Sequence, residues 1–351
     1  MNPPQKRTSD ESKVARGRAT QGAVAGRAGA QPARHRDIDA ERAGQRLDNY
    51  LLGELKGVPR SHVYRLIRSG QVRVNSGRTS PSYRLQAGDR VRVPPVGLRP
   101  AVPATATPDR LEWLGERIIH EDSRILVLDK PAGLAVHGGS NVSLGCIEAL
   151  RLLRPDSKDL ELAHRLDRDT SGCLLLAKRR SALRMLHELL REGRVDKRYL
   201  TLVKGPWPEG TTEIDAPLVT RRVGGEARVK VDESGKESRS TFRLIDRFGK
   251  TASLLEVSID TGRTHQIRVH AAHAGHPVAG DERYGDKDFD EYLKSFGLTR
   301  MFLHAHSLSF DWPDTGEPFN ASAPLPEELK SVLTALEIKP AKGSGGRRPA
   351  S

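Results

Sequence analysis

The densest polar segment of the chain, His164-Arg165-Leu166-Asp167-Arg168-Asp169-Thr170-Ser171-Gly172, stands directly before the all-apolar run Cys173–Ala177. Polar loops at the end of a buried strand often carry catalytic groups, because the sheet holds them rigidly. Asp167 lies between Arg165 and Arg168, and a carboxylate paired with guanidinium charge stays ionised. That state suits a nucleophile or a base better than a general acid. The competing reading is an Asp/Thr/Ser turn with surface ion pairs and no chemistry.

A second polar cluster is Gly262-Arg263-Thr264-His265-Gln266-Ile267-Arg268-Val269-His270. On a helix His265 and Arg268, three apart, share one face, and Gln266 and His270, four apart, share another. His273 and His276 follow, so a metal centre has to be weighed. There is no His-Glu-x-x-His run and no cysteine or carboxylate at ligand spacing. The expectation is therefore a basic helix face near a catalytic carboxylate, with no metal. Lys197-Arg198-Tyr199 opens a further strand, and its tyrosine is either a core residue or a wall of the site.

The elements that must position these groups can be read from hydrophobic spacing. Leu47, Tyr50, Leu51 and Leu55 recur at helical intervals, as do Val63, Leu66 and Ile67 after Pro59, with Ser61 as N-cap and Gly70 as stop. Val72 and Val74, then Arg90–Val93, read as short strands around the turns at Asn75-Ser76-Gly77 and Gly88-Asp89. Pro94, Pro95, Pro100, Pro103 and Pro108 predict an extended linker. Beyond it, strands are predicted at Ile125–Leu128, Cys173–Ala177, Tyr199–Val203, Ser240–Ile245, Ser253–Ile259 and Met301–Phe310. Helices are predicted at Cys146–Leu153, Ser181–Glu192, Thr264–Ala274 and Glu327–Leu336. Strands arrive in runs with helices interspersed irregularly, which fits a mixed α+β sheet rather than a doubly wound one. The domain plan is a disordered basic tail over 1–36, a small unit over 44–95, a Pro-rich linker over 96–112, a large unit over 113–337 and a disordered tail over 338–351.

Charge sharpens that plan. The chain of 351 residues carries a net charge of +13. Residues 1–36 hold eight Lys/Arg against two acids, and residues 46–93 hold ten against three. The large unit is close to balanced. A polyanion partner gripped by the N-terminal part is the natural reading, and a solvated basic surface the bland one. Cys146 and Cys173 form no C-x-x-C pair and sit in apolar contexts, so buried thiols in a reducing compartment are expected. No apolar run reaches a membrane span and no hydrophobic leader opens the chain. The expectation is a cytoplasmic protein.

The two polar clusters also carry a resemblance. HRLDRDTSG, from His164 to Gly172, resembles the signature of the RluA-type family of RNA pseudouridine synthases. Leu128-Asp129-Lys130-Pro131-Ala132-Gly133, Lys197-Arg198-Tyr199 and GRTHQIRVH, from Gly262 to His270, resemble that family's other motifs in the same order. The resemblance implies a largely antiparallel pseudouridine synthase sheet with flanking helices. It also implies that Asp167 is the catalytic residue, that Arg268 pairs with it and that Tyr199 packs on the target base. No cofactor is implied. Residues 46–93 resemble an S4 RNA-binding domain, a small α/β unit whose second helix would present Arg60, Arg65 and Arg68 to phosphates, with Arg73 beside them. The order of the units, with Val136-His137-Gly138-Gly139-Ser140 and Ser181-Ala182-Leu183-Arg184, is most similar to the RluC branch, which modifies bacterial large-subunit ribosomal RNA. The RluD branch shares the architecture.

The implied reaction breaks the bond from ribose C1′ to uracil N1, turns the base and rejoins it through C5. A stacked uridine is unreachable, so the nucleotide would be flipped out, at a cost of a few kcal/mol. Asp167 could attack C1′ or the base, or remove a ribose proton. Arg268 would hold it charged and oriented, and Arg165 would support the extruded strand or fill the vacated stack. His164 and Thr170 are expected to be supporting hydrogen-bonders. Two other readings compete: an inactive RNA-binding assembly factor, and a carboxylate-metal nuclease using Asp167 and Asp169. The arginines interleaved with those acids argue against the nuclease. The partner expected is ribosomal RNA, and the protein is expected to be a monomer away from membranes.

Overall fold

The computed structural model describes residues 33–55, 58, 60–96, 111–138, 144–157, 159–223 and 226–338. Its described residues divide into two compact units, one up to residue 38 and from 45 to 96, the other from 39 to 44 and from 111 onward. Most of the tail, the linker from 97 to 110, Gly139 and Ser140, and the C-terminal segment from 339 lie outside the described residues.

The smaller unit contains β1 (Arg34–Asp37), α1 (Leu47–Glu54), α2 (Arg60–Arg68), β2 (Arg73–Val74) and β3 (Arg90–Val93). The helical stripes Leu47/Tyr50/Leu51 and Val63/Leu66/Ile67 close on Val72, Val74, Leu85, Val91 and Val93. Asp48 is buried beneath them, and its carboxylate accepts from Arg46 at 2.7 Å and from the Tyr64 hydroxyl at 2.6 Å. The turn joining β2 to β3 opens with Asn75 and Ser76 at positive φ, 49° and 67°. One expectation fails here. Residues 34–36, read as part of a disordered tail, belong to β1, which pairs antiparallel with β3 in the register Arg34↔Val93 to Asp37↔Arg90. All four β1 residues are exposed, so no apolar alternation betrays the strand. Backbone hydrogen bonds to the free edge of β3 make it, and the buried Ile38 anchors its end.

The larger unit runs α3 (Glu112–Gly115), β4 (Ile118–Glu121), β5 (Ile125–Lys130), α4 (Cys146–Leu153), β6 (Glu161–Leu162), β7 (Ser171–Ala177), α5 (Arg180–Arg191) and β8 (Asp196–Lys204). It continues through β9 (Thr211–Asp215), β10 (Leu218–Val223), β11 (Glu226–Val231), β12 (Arg239–Phe248), β13 (Ala252–Ile259) and α6 (Gln266–His273). It closes with α7 (Lys287–Lys294), β14 (Leu303–Asp311), β15 (Pro318–Ser322) and α8 (Glu327–Ile338). Ten strands form one sheet in the order β4-β5-β7-β14-β8-β13-β12-β9, with β15 on β14 and β6 on β7. Its described pairings are antiparallel except β7 with β14, which run parallel at Ser171↔His304 and Gly172↔Ala305. The sheet is therefore mixed and largely antiparallel, as expected. One face packs on α4 through Leu126, Leu128, Leu174, Leu176, Ile147 and Leu150; the other packs on α5 through Ile125, Val127, Leu175, Leu186 and Leu189. Both cysteines are buried, and burial pushes the Cys146 thiol up to about 11 and the Cys173 thiol up to about 12.

β9, the β10–β11 ribbon, β15 and α7 were not expected from the sequence. Each is short and polar on its open side; α7, for example, buries only Phe289 and Leu293. Their periodicity spans too few residues to stand out in the sequence, and a neighbouring edge or groove receives them.

Candidate active site

The loop from Ala163 to Thr170 connects β6 to β7 and is fastened along its length. Leu166 points into the core between the exposed Arg165 and the half-buried Asp167. At the loop's start, His164 Nε2 accepts a hydrogen bond at 3.1 Å from the Leu175 N–H, which faces away from β5. Burial pulls the His164 imidazole down to about 4, so it is a neutral acceptor and not a proton carrier. At the far end, the Thr170 N–H returns to the Asp167 carbonyl at 3.2 Å. Lys130 is fully buried and donates to three carbonyls: Pro131 at 2.9 Å, Leu134 at 2.9 Å and Arg168 at 2.8 Å. Burial lowers its ammonium to about 8, and the three carbonyls meet its three donors. Lys130 thus ties the end of β5 to the residue after Asp167. Gly172 has φ 104°, and a Cβ there would come within 2.2 Å of the Ala305 carbonyl oxygen. Only glycine lets β7 and β14 approach so closely.

α6 supplies the counter-charge. Arg268 Nη1 donates to Asp167 Oδ2 at 3.0 Å, while Nε and Nη2 form a fork on Asp281, both at 2.7 Å. Arg268 is 7% exposed and the Asp281 side chain fully buried. Burial alone would raise the Asp281 carboxyl. The hydrogen bonds and charge of Arg268, with the N–H groups of Arg283 and Tyr284, outweigh that and hold it below the usual range. A guanidinium held at two corners has little freedom in where it presents the third.

Both residue pairs read from helical spacing are brought together, although His265 stands just before the helix. His265 and Arg268 face Asp167, His265 Nε2 lying 3.9 Å from Oδ2. Gln266 and His270 converge on Ser240 Oγ at 3.0 and 2.9 Å, bolting α6 to β12. His270 Nε2 also donates to the Ala216 carbonyl, and His276 Nδ1 to the Lys204 carbonyl. These histidines therefore fasten backbone segments together. The helix begins at Gln266, two residues later than expected, because His265 adopts a left-handed conformation with φ 55° and ψ 22°. A non-glycine residue there costs on the order of 1–3 kcal/mol and asks for a compensating role.

Tyr199 lies in the core cluster, 7% exposed, on β8 between Val257 and Ala305. Burial, then the nearby Asp167 charge, raises its phenol. Its hydroxyl has no hydrogen-bond partner among the described residues. Arg165 is exposed, and its side chain makes no ion pair or hydrogen bond among them. Asp169 is engaged by Arg168 at 3.0 Å. In the smaller unit Arg65 and Arg68 are exposed on α2. Arg73 is exposed on β2 and bonded to the Gly70 and Ser76 carbonyls. Arg60 opens α2, and its side chain lies outside the described residues. Asp281 and Tyr284 escaped sequence reading. The usable signal was Arg268 itself, which sits between Ile267 and Val269 and requires a buried acid; Gly280-Asp281 was the place to look.

Comparison with known proteins identifies the family. Residues 124–273 match the family described as RNA pseudouridylate synthase, and residues 45–91 match the S4 domain. The chain is 54% identical over 302 residues to the ribosomal large subunit pseudouridine synthase C of Pasteurella multocida, spanning 85% of this chain and 92% of that protein. It is 53% identical to the protein of the same name from Yersinia pestis, over 85% of this chain and 94% of that one. The Escherichia coli protein of that name is 51% identical, over 85% and 95% respectively. Among solved structures, human RNA pseudouridylate synthase domain containing 4 superposes with a TM-score of 0.55 at 25% identity, covering 66% of this chain and 96% of that one. With a forked Arg268 holding the Asp167 carboxylate on a mixed sheet, and this similarity over nearly the whole length of its relatives, the chain belongs to the RNA pseudouridylate synthase family.

Proposed function

We propose that the chain isomerises specific uridines to pseudouridine in the large-subunit (23S) ribosomal RNA, with Asp167 as its catalytic residue. The observation that carries the reading is the Asp167 carboxylate, 3.0 Å from a guanidinium that is itself locked by a buried acid. Such an anion is kept charged and aimed, as bond-making at C1′ or at the base, or removal of a ribose proton, would require. The names and identities of the relatives support large-subunit ribosomal RNA as the substrate, and the type C synthase over an RluD-like one. Tyr199, buried beside Asp167 with a free hydroxyl, would stack on the flipped uracil, and Arg165 would meet the extruded strand. The exposed Arg65, Arg68 and Arg73, together with Arg60, would neutralise phosphates. The isomerisation conserves every atom and electron, so neither a redox cofactor nor a nucleotide is called for.

A single copy carries the whole cluster, which supports a monomer. Among the described residues no helix is long and apolar enough to cross a membrane. Ribosomal RNA as substrate favours the cytoplasm. The test is Asp167→Asn, which keeps shape and removes charge. We expect no tritium release from uridine-C5-labelled 23S transcript, with RNA binding retained; a variant that turns over normally overturns the assignment.

A further inference from the structure

Tyr284 joins three parts of the site. Its hydroxyl accepts from the Val229 N–H of β11 at 3.1 Å and lies 2.8 Å from His265 Nδ1. Its ring lies under the Arg268 guanidinium, 5.1 Å from ring centre to Cζ, and edge-on to the His265 ring. Its backbone N–H binds Asp281, the acid that forks Arg268. Neither contact of the hydroxyl is explained by packing alone.

Proton accounting over the described partners of this oxygen favours one arrangement. Val229 donates, so the phenol must place its own hydrogen elsewhere, and among the described residues His265 Nδ1 is its one other partner. Nδ1 is then the acceptor, and the imidazole proton sits on Nε2. The opposite tautomer would strand the phenol hydrogen and turn a nitrogen lone pair toward the Asp167 carboxylate, 3.9 Å away. Both described side-chain contacts to Asp167, from Arg268 and from His265, go to the same oxygen, Oδ2. Oδ1 has no partner among the described residues. The strained left-handed backbone of His265 is what aims its ring between Tyr284 and Asp167.

We propose that Tyr284 is a positioning residue that fixes His265 in its Nε2–H tautomer, so that an N–H dipole and not a lone pair faces the Asp167 oxygen that Arg268 holds, while the other oxygen is left bare for the substrate. This rests on the reading of Asp167 as catalytic. The hairpin β10–β11 enters the same chain of bonds through Val229, which makes its seating on α6 a condition for an oriented carboxylate. Val229 packs there with Leu218 and Val269.

The test is a double-mutant cycle on the full chain, read by single-turnover tritium release from transcribed 23S RNA. Tyr284→Phe keeps the ring and removes the hydroxyl; we expect the rate to fall roughly tenfold, with RNA affinity and melting temperature little changed. His265→Gln replaces the imidazole with an amide that needs no tautomer, so Tyr284→Phe in that background should cost less than about twofold. Additive losses overturn the proposal, because a structural role would act in either background. Nitrogen-15 spectra of the wild-type protein must show His265 protonated on Nε2; protonation on Nδ1 overturns it without any variant. With Asp167→Asn inactive, an unchanged rate in Tyr284→Phe sinks the positioning role alone. Turnover by Asp167→Asn sinks the site reading beneath it, and the proposal with it.

Discussion

At the scale of single residues, the site is a chain of charges in which each member is held by the next. Asp281 fixes two corners of Arg268, and Arg268 fixes Asp167. Asp167 and Arg268 could be found from spacing and motif, because both lie in dense polar runs. Asp281 was marked only indirectly, by the need of Arg268 for a buried acid, because no polar run surrounds it and its partner is thirteen positions away. It carries a prediction. Asp281→Asn leaves a buried guanidinium short of counter-charge, so stability should fall by roughly 3 kcal/mol. With Arg268 released, single-turnover rates should also fall, more than tenfold. Urea melts and rate measurements on the same preparation check both, and a variant with wild-type rate would show that Arg268 needs no clamp.

At the scale of elements, the loop that carries Asp167 owes its shape to contacts made from other parts of the chain. Lys130 at the end of β5 holds the Arg168 carbonyl, His164 reaches forward to β7, and Gly172 admits the β14 backbone. The motif residues Lys130 and Gly172 were visible in the sequence, but their tasks were not, since each depends on an atom that only folding brings near. In the smaller unit α2 was legible from its apolar stripe, and it leaves Arg65 and Arg68 open to solvent. Replacing both by Ala should weaken RNA binding. Because each lost phosphate contact removes counterion release, it should also flatten the slope of log K against log salt by about 0.7–0.9 per contact. Isotherms across a salt series measure this; an unchanged slope would mean that α2 does not touch the backbone.

At the scale of the whole molecule, stability is linked to two neutral histidines. Burial brings His164 and His304 from an ordinary 6.5 down to about 4. His304 sits in the core, donating to the Ala323 carbonyl and receiving the Ser171 hydroxyl, at the point where β7 meets β14. Between about 4 and 6.5 the unfolded chain binds protons that the folded chain refuses, so unfolding free energy rises with pH there. Acidification from 6.5 to 4 should therefore remove roughly 2–3 kcal/mol for each histidine. His304→Asn should be less stable at neutral pH and show a shallower acid slope. Urea midpoints from pH 7 to 4.5 test it, and a flat wild-type profile contradicts it.

By itself the sequence determined what periodicity and composition can encode: the apolar strands and helices of both units, their mixed α+β character, the concentration of positive charge at the N-terminal end, and the polar runs that hold Asp167, Tyr199 and Arg268. It was silent where an element has no apolar signature of its own. β1 is four exposed residues made into a strand by the open edge of β3, and the β10–β11 ribbon becomes part of the site only by resting on α6. Tertiary structure alone decided that Asp281 faces Arg268, that Tyr284 faces His265, and which oxygen of Asp167 is left bare. Those facts concern atoms far apart along the chain, and no local pattern of residue types encodes a distance that exists only after the sheet has closed.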